Sequence, residues 1–223
     1  MSDSRFSMGE AISFGWDVMR NNIGFFLLLL IVAFFIENIL GFVSDFAGRD
    51  FPMIAVLLSL VGAMLGLVVQ MGMIKVSLQF CDGIKGKLDD LLSTFNLLLS
   101  MIVASIVYIL IVICGMILFV VPGVIWGIKF SLYPYFIVDE GLGPIEAIKA
   151  SGNATDGAKL HLWLFGLLMG LINIAGALAL FVGLFATIPT SMVAYAYVYR
   201  TLAGKSAGGA AVPECSMYIN LGT

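Results

Sequence analysis

The chain has 223 residues and a formal net charge of −3, and 61% of its residues are hydrophobic while only 11% are charged. Soluble globular domains carry about 25% charged residues, and a mean hydropathy of +1.09 is too high for a surface exposed to water. The composition therefore excludes a soluble globular protein. Several apolar runs exceed the roughly 18 residues that mark a bilayer-spanning helix, so the sequence predicts an all-α, polytopic membrane helical bundle.

A short amphipathic stretch, SMGEAISFGWDVMRNN, precedes the first predicted span. Its Ser7 and Glu10 have the spacing of a capping box, which predicts a helix start. Residues 1–22 are too polar for a signal-peptide core and no small-residue cleavage site follows, so no cleavable signal peptide is expected. The first span is predicted at about 23–44, and it contains the acidic residue Glu37.

The second predicted span, about 52–78, has a stripe of small and polar residues along one face. Within that stripe, Gly62 and Gly66 have the Gly-x-x-x-Gly spacing that lets helix backbones approach closely. Because Gln70 lies on the same face, we expect that face to be buried in protein and Gln70 to be a buried polar group. The full stripe is Ser59, Gly62, Ala63, Gly66 and Gln70.

A second amphipathic stretch, KLDDLLSTFN at 87–96, precedes the third and fourth predicted spans, about 97–120 and 122–138. Pro122-Gly123 divides what would otherwise be one long apolar run. Because proline cannot continue a helix interior cheaply and glycine relaxes a turn, this pair predicts a tight hairpin between the two spans. The fourth span contains Lys129, which has no other charged residue near it in the chain.

A third amphipathic stretch, GPIEAIKASGNATDG at 143–157, precedes the fifth and sixth predicted spans, about 160–179 and 184–202. Pro144 stands at a favourable first helical position, and Gly157 predicts the end of this helix. The fifth span carries its own stripe of small and polar residues, in which the two glycines predict close helix packing and the asparagine predicts a buried polar group. That stripe is Gly166, Gly170, Asn173 and Ala177.

The distribution of lysine and arginine predicts the orientation of the spans. With the N-terminus inside, nine basic residues face the cytoplasm and Arg49 alone faces outside. We therefore predict a multi-pass membrane protein with both termini cytoplasmic. It has a single transmembrane domain, 1–204, and a cytoplasmic tail, 205–223. The nine inner residues are Arg5, Arg20, Lys75, Lys85, Lys87, Lys149, Lys159, Arg200 and Lys205.

The three amphipathic stretches form a possible internal repeat. The first and third share Glu-Ala-Ile, at 10–12 and 146–148, and each is followed by a span about a dozen residues later. We interpret the chain as three units, each a short interfacial helix on the cytoplasmic side followed by a helical hairpin. The alternative is that any short cytoplasmic loop of a membrane protein has an amphipathic pattern.

A resemblance to a known bacterial family rests on VVPGVIWGIKFSLYPYFIVDEGLGPIEAIKASGNATDG and IPTSMVAYAYVYRTL. Over most of 5–203, the chain resembles the uncharacterised six-helix inner-membrane proteins related to the membrane domain of membrane-anchored glycerophosphodiester phosphodiesterases. The resemblance implies the six-span topology but no established activity, and the phosphodiesterase domain itself is missing. The matching features are Pro122-Gly123, a basic residue at 129, Pro134, Glu146-Ala147, Ser151, Pro189 and Tyr199-Arg200.

The templates of common enzymes do not fit this sequence. Its one histidine, His161, lies at the inner mouth of a predicted span, so neither a histidine-based triad nor a pair of histidine metal ligands can be built. GIKGKL lacks the spacing of a phosphate-binding loop. We therefore predict a non-enzymatic protein with no catalytic residue, metal or cofactor. Its expected partners are membrane lipids and other membrane-protein subunits, with no nucleic acid.

Two ionisable residues, Glu37 and Lys129, lie within predicted spans, where charged groups are costly. Each is seven residues from the outer end of its span, which places both about 10 Å below that end. The matched depth predicts a Glu37–Lys129 pair, which is either a packing clasp or part of a transport site. The alternative is that Lys129 extends outward beside Trp126 while Glu37 is protonated or bonded to Asn38.

Two functions remain open at this stage. The first is a scaffold or accessory subunit of a membrane assembly, because the loops are small, catalytic groups are absent and small-residue stripes favour compact packing. The second is a transporter or permease for small molecules or lipids. It would use the buried Glu37, Lys129, Gln70 and Asn173 around a central cavity. A continuous polar cavity would favour the second function and a dry bundle the first.

Overall fold

Helices account for all the regular structure that the computed structural model describes, at residues 6–47, 51–179 and 183–204. The predicted tail 205–223 and Arg49 lie outside these described ranges. Two short 3₁₀ turns, Leu88–Leu91 and Phe95–Leu97, connect the third and fourth α-helices. The α-helices are α1 (Met8–Asn21), α2 (Ile23–Ala47), α3 (Pro52–Cys81), α4 (Leu98–Leu118), α5 (Val120–Lys129), α6 (Tyr133–Glu140), α7 (Pro144–Ala154), α8 (Lys159–Leu178) and α9 (Leu184–Leu202).

Five helical segments within the described ranges are long and apolar enough to cross a membrane. The predictions of an all-α fold and of a membrane protein are therefore confirmed. The sixth predicted span, 184–202, is a helix but is not among the five. The five segments are Ile23–Ser44, Pro52–Cys81, Leu88–Leu118, Val120–Glu140 and Lys159–Leu178.

The helix α9 is less apolar than the five because protein surrounds it. It packs against α1, α2, α3 and α8. Nine of its residues are buried, and they include hydroxyl-bearing residues such as Thr190, Ser191 and Tyr199. A helix that contacts other helices on most sides can carry polar groups that lipid would not tolerate. The low hydropathy of α9 therefore does not mean that the helix is exposed to water.

The first helix, α1, lies against α9 rather than apart from the bundle. The side chain of Ser7 accepts a hydrogen bond from the Glu10 N–H at 3.4 Å, so the predicted helix start is confirmed. A Cβ built on Gly15 would lie 2.5 Å from the Thr190 carbonyl oxygen, so only glycine permits this crossing. The rings of Phe14 and Tyr197 are 5.3 Å apart beside it. The amphipathic face of α1 therefore covers part of α9.

The α2–α3 hairpin extends beyond the start of α9 at one end of the bundle. The helices α3 and α9 run parallel from there to their C-terminal ends, which are joined by a contact between Asp82 and Arg200. The helix α3 has 30 residues and α9 has 19, so at 1.5 Å per residue α3 is roughly 16 Å longer. We call the projecting part, residues 38–47 and 51–66, the α2–α3 arm.

The predicted hairpin at Pro122-Gly123 is displaced by a few residues. The chain turns at Phe119, which is extended, and α5 already begins at Val120. Pro122 thus lies in the first turn of α5, where its missing N–H costs nothing because first-turn N–H groups have no helical acceptor. A Cβ on Gly115 would lie 2.8 Å from the Gly123 Cα, so two glycines let α4 and α5 cross closely.

The fourth predicted span, 122–138, is two helices rather than one. The helix α5 ends at Lys129, residues 130–132 form a turn, and α6 starts at Tyr133. Pro134 is in the first turn of α6, and its missing N–H cannot serve the carbonyl of Phe130 four residues earlier. The continuous helix that the sequence predicted is therefore interrupted in the turn that follows Lys129.

The second and third amphipathic stretches differ in structure. The stretch 87–96 forms the two 3₁₀ turns and not one helix, and Gly72 of α3 lies so close to the Leu91 backbone that a Cβ would overlap it. The third stretch forms α7 with Pro144 at its start, but the helix ends at Ala154, before Gly157, whose φ of 81° is positive. The helix α7 packs on α4 and α6.

Candidate functional site

A cluster of charged side chains joins the C-terminal ends of α3, α6 and α9. The Arg200 guanidinium contacts Asp82 at 2.6 Å through Nη2 and Asp139 at 2.8 Å through Nη1. The side chains of Arg200 and Asp139 are only 14% and 13% exposed. Charge-assisted bonds between a guanidinium and carboxylates are among the stronger protein hydrogen bonds, so one arginine connects three helix ends.

Tyr199 completes this cluster from the neighbouring position on α9. Its hydroxyl donates to Asp139 Oδ2 at 2.9 Å and lies 3.5 Å from Glu140 Oε1. The Tyr199 ring is fully buried, and it stacks on Tyr135 with ring centroids 5.4 Å apart. We call Asp82, Asp139, Glu140, Tyr199 and Arg200 the α3–α6–α9 cluster. Its arginine and tyrosine bond to its own carboxylates, which is the arrangement of a packing contact.

No local sequence pattern predicts this cluster. Tyr199 and Arg200 are indicated only by the family resemblance, and no motif indicates Asp82 or Asp139. A signal was nevertheless present, because Asp82, Asp139 and Arg200 each lie close to the end of a predicted span that terminates on the same side. Charged residues at the ends of the second, fourth and sixth predicted spans, which finish on the same side of the membrane, are therefore candidates for ion pairs with one another.

Two hydroxyl groups of α7 satisfy the interrupted backbone between α5 and α6. The Ser151 hydroxyl accepts from the Leu132 N–H at 3.1 Å and donates to the Lys129 carbonyl at 3.2 Å. The Thr155 hydroxyl lies 2.8 Å from the same carbonyl oxygen. Both side chains are fully buried. Because a buried backbone group without a partner is costly, these two hydroxyls stabilise the interruption.

Lys129 is held against α7. Its ammonium lies 5.5 Å from the centroid of the Phe130 ring, and its Cε is 3.2 Å from the position of a Cβ built on Gly152. No described carboxylate forms an ion pair with Lys129. The side chain therefore runs along α7, which belongs to a loop outside the five candidate spans.

Glu37 occupies a different part of the molecule. It is exposed, and among the described residues it forms neither an ion pair nor a hydrogen bond. The structure thus does not form the predicted direct Glu37–Lys129 pair. Nor does Glu37 bond to Asn38, whose side-chain amide donates to the Phe34 carbonyl at 2.8 Å. The reason is the architecture: α2 packs on α3 and α9, whereas Lys129 packs on α7.

Glu37 lines a cleft of about 540 Å³ between α2, α3 and the first turns of α9. The cleft lies where α9 begins and the longer α2–α3 hairpin continues. Glu37 is the one residue with a polar side chain in its lining. We call this the Glu37 cleft, and its lining is Leu30, Ile31, Ala33, Phe34, Phe35, Glu37, Met73, Leu184, Phe185 and Ile188.

The predicted helix-packing glycines have unequal surroundings. A Cβ on Gly66 or Gly170 would meet no atom within 4 Å, so these two glycines do not mark a close helix contact. A Cβ on Gly166 would lie 3.2 Å from the Tyr195 hydroxyl. Gly62 is half-buried. It falls on the half-buried row of α3 at helical spacing, which is Ala55, Leu58, Gly62 and Leu65.

Of the two predicted buried polar groups, only Asn173 has a specific role. Gln70 is exposed, so that prediction is wrong. The reason is that the described bundle leaves the Gln70 side of α3 uncovered. Asn173 is half-buried, and its amide donates to the Met169 carbonyl at 3.0 Å and to the Ser191 hydroxyl at 2.9 Å. It therefore links α8 to α9.

A second cleft, of about 520 Å³, separates α4 and α5 from α8. Gly166 and Gly170 both line it, which explains why this glycine pair does not bring two helices together. Tyr108, Ser131 and Tyr195 are the hydroxyl-bearing residues of an otherwise largely apolar wall. Among the residues described, no group of three histidine, cysteine or acidic side chains could hold a metal ion.

Two relatives from mycobacteria share a segment with this chain. An uncharacterised protein of Mycobacterium tuberculosis is 36% identical over 94 residues, and one of Mycobacterium bovis matches to the same extent. The segment covers 40% of this chain and 28% of each relative. The chain therefore spans less than a third of the length of these relatives.

No family model and no solved structure matches the chain. The resemblance to the membrane domain of membrane-anchored glycerophosphodiester phosphodiesterases therefore stays a prediction.

Proposed function

We propose that this protein is a non-enzymatic scaffold or accessory subunit of an assembly in the bacterial inner membrane. The observation that carries the proposal is the α2–α3 arm, which extends beyond the start of α9 with apolar side chains exposed around it. Eight large apolar residues of its α3 part are exposed: Phe51, Met53, Ile54, Val56, Leu57, Leu60, Val61 and Met64.

Within the arm, α2 covers only one side of α3. The half-buried residues Ala55, Leu58 and Gly62 recur every three or four positions, so they form one row that faces α2. The Ser44 and Ser59 hydroxyls, 2.7 Å apart, add a polar contact between the two helices. The remaining sides of α3 have no protein neighbour in the described bundle, which is the surface that a partner helix needs.

The polar clusters support a structural function rather than catalysis. In the α3–α6–α9 cluster, the guanidinium and the phenol bond to carboxylates of the same cluster. The Ser151 and Thr155 hydroxyls serve the backbone of the α5–α6 turn. Each of these groups stabilises contacts between helices, so none is left in the pose of a nucleophile beside a base.

We further propose that α9 is the sixth span and that both termini are cytoplasmic. Its neighbours supply the apolar environment that its own sequence lacks, and nine basic residues on one side against Arg49 on the other support the orientation. The helices α1 and α7 and the 3₁₀ turns would then lie at the cytoplasmic side. Cysteine labelling in whole cells tests this, with native cysteines removed: Gly48→Cys should react from outside, whereas Lys149→Cys and Gly204→Cys, which lies beyond α9, should not.

Photo-crosslinking in native membranes tests the subunit function. A photoreactive residue at Leu60 of the arm should form an adduct with a defined membrane protein. The matched control is Leu110 of α4, because both side chains are 56% exposed. Adducts with lipid alone at both positions would refute the proposal, and the same protein adducts at both positions would show non-specific proximity and refute it equally.

A permease is the second candidate function, and the Glu37 cleft is the observation that favours it. A carboxylate inside a membrane-crossing segment marks a functional site by default. The two clefts are separate, however, and their linings are largely apolar. The two linings have no residue in common, so a path for a solute through both would need a connection between them. If reconstituted vesicles transport no solute while a photoreactive residue at Leu60 still forms a protein adduct, the permease is excluded and the subunit function remains.

A further inference from the structure

We propose that the Glu37 cleft binds a lipophilic cation, meaning an organic cation whose positive charge is carried by an aromatic or aliphatic body. The carboxylate of Glu37 is the counter-charge, and the apolar walls hold the body of the ligand. This site goes beyond the subunit function proposed above, and it does not depend on whether the α2–α3 arm binds a partner.

The charge of Glu37 is not neutralised within the described chain. Three described basic residues are engaged with other carboxylates: Lys75 with Asp90, Lys159 with Asp156 and Arg200 with Asp82 and Asp139. Lys129 lies against α7 instead. An acidic side chain within a membrane-crossing segment is costly. A bound cation would offset part of that cost.

The walls of the cleft suit an aromatic or aliphatic cation rather than a hydrated one. Three phenylalanines, Phe34, Phe35 and Phe185, stand among aliphatic residues around Glu37. Aromatic faces attract cations, and the attraction grows when water is excluded. A strongly hydrated metal ion would need several oxygen ligands, and the lining offers one carboxylate as its side-chain donor.

The size of the cleft and its backbone agree with this ligand class. About 540 Å³ falls within the roughly 300–1,000 Å³ of small-molecule sites. Pro189 lies inside α9 and has no N–H, so the carbonyl of Phe185, four residues earlier, lacks its usual helical donor. A residue of the cleft wall thus carries a carbonyl oxygen without its usual helical donor. The carboxylate of Glu37 favours a positively charged ligand over an anion.

Equilibrium binding to the purified protein in detergent tests the proposal. The probe is tetraphenylphosphonium, and tetraphenylborate is the control of the same shape and opposite charge. We expect the cation to bind saturably and Glu37→Gln to weaken it by at least about tenfold. Glu146→Gln, which removes an exposed carboxylate of α7 outside the cleft, should change nothing. Phe34→Leu should weaken binding by a smaller factor.

Three results would overturn the proposal. Equal binding of cation and borate would show a merely apolar cleft, and unchanged cation binding to Glu37→Gln would place the site elsewhere. Absence of cation binding, with a photoreactive residue at Phe35 crosslinked to a protein, would show that a partner helix occupies the cleft. If Glu37→Gln does not fold, an azido derivative of the cation on the wild-type protein decides: labels on α2 and the start of α9 support the site, and labels elsewhere exclude it.

Discussion

The two ends of the bundle are built in opposite ways. At the end where α3, α6 and α9 finish, Arg200 bonds to two aspartates, and buried hydroxyls of α7 serve the nearby α5–α6 turn. At the other end, the α2–α3 arm exposes apolar side chains, with the Ser44–Ser59 contact as its one described hydrogen bond between side chains. Polar contacts therefore determine the helix arrangement at one end, whereas the other end depends on lipid or a partner.

Removing Arg200 should give the largest loss of stability. Arg200→Met leaves Asp82 and Asp139 partly buried without their cation, and breaking a buried ion pair typically costs about 3–5 kcal/mol. The measurement is the free energy of unfolding in mixed micelles. The control is Lys159→Met, which removes an exposed pair with Asp156 and should cost below about 1 kcal/mol. Equal losses in the free energy of unfolding for Arg200→Met and Lys159→Met would show that the burial of the Arg200 contacts adds no stability.

A methyl group at Gly15 should have the next largest effect. Gly15→Ala places a Cβ against the Thr190 carbonyl, and overpacking typically costs about 1–3 kcal/mol. Gly66→Ala or Gly66→Leu, at a site with open space within 4 Å, should melt like the wild type. If Gly66→Leu lowers the melting temperature and Gly15→Ala does not, the close helix contact lies at Gly66 and not at Gly15.

The α5–α6 turn should respond to loss of one hydroxyl. Ser151→Ala removes the acceptor of the Leu132 N–H, and an unsatisfied buried donor costs about 1–3 kcal/mol. Hydrogen exchange at the Leu132 amide reads the local effect. The matched control is Ser13→Ala on α1, an exposed serine that bonds only within its own helix. Unchanged exchange at Leu132 in Ser151→Ala would show that this hydroxyl does not hold the turn.

The smallest effect should be the coupling between Glu37 and Lys129. The two residues share no described partner, so the effects of Glu37→Gln and Lys129→Met should add within about 0.5 kcal/mol. A double-mutant cycle read by thermal stability measures this. A coupling energy above about 1 kcal/mol would show that the two charges meet after all, and it would restore the pair that the sequence predicted.

Much of the helical framework was predictable because it rests on local patterns. Ser7 at the start of α1 and Pro144 at the start of α7 each act through the backbone of their own segment. The apolar runs likewise predicted the five spans. Pro122 misled the prediction because proline is compatible with the first turn of a helix as well as with a hairpin.

The contacts between helices were less predictable because several arrangements satisfy the same sequence. Depth along the chain placed Glu37 level with Lys129, but depth does not determine which helices are neighbours. Gly-x-x-x-Gly spacing permits a close contact without requiring one, and Gly170 lines a cleft instead. The close contact at Gly15 joins residues far apart in the sequence, so no local pattern indicates it.

The position of α1 against α9 has a consequence for biogenesis. Ribosomes release the N-terminal segment first, at about 5–20 residues per second, so α1 emerges long before the helix that it packs against. Until α9 is made, the buried face of α1, with Ala11 and Val18, has no α9 to contact. In the topology proposed above, α9 would also reach the membrane-insertion machinery as a segment less apolar than the five candidate spans. The contact between α1 and α9 therefore forms only after the helices between them have been made.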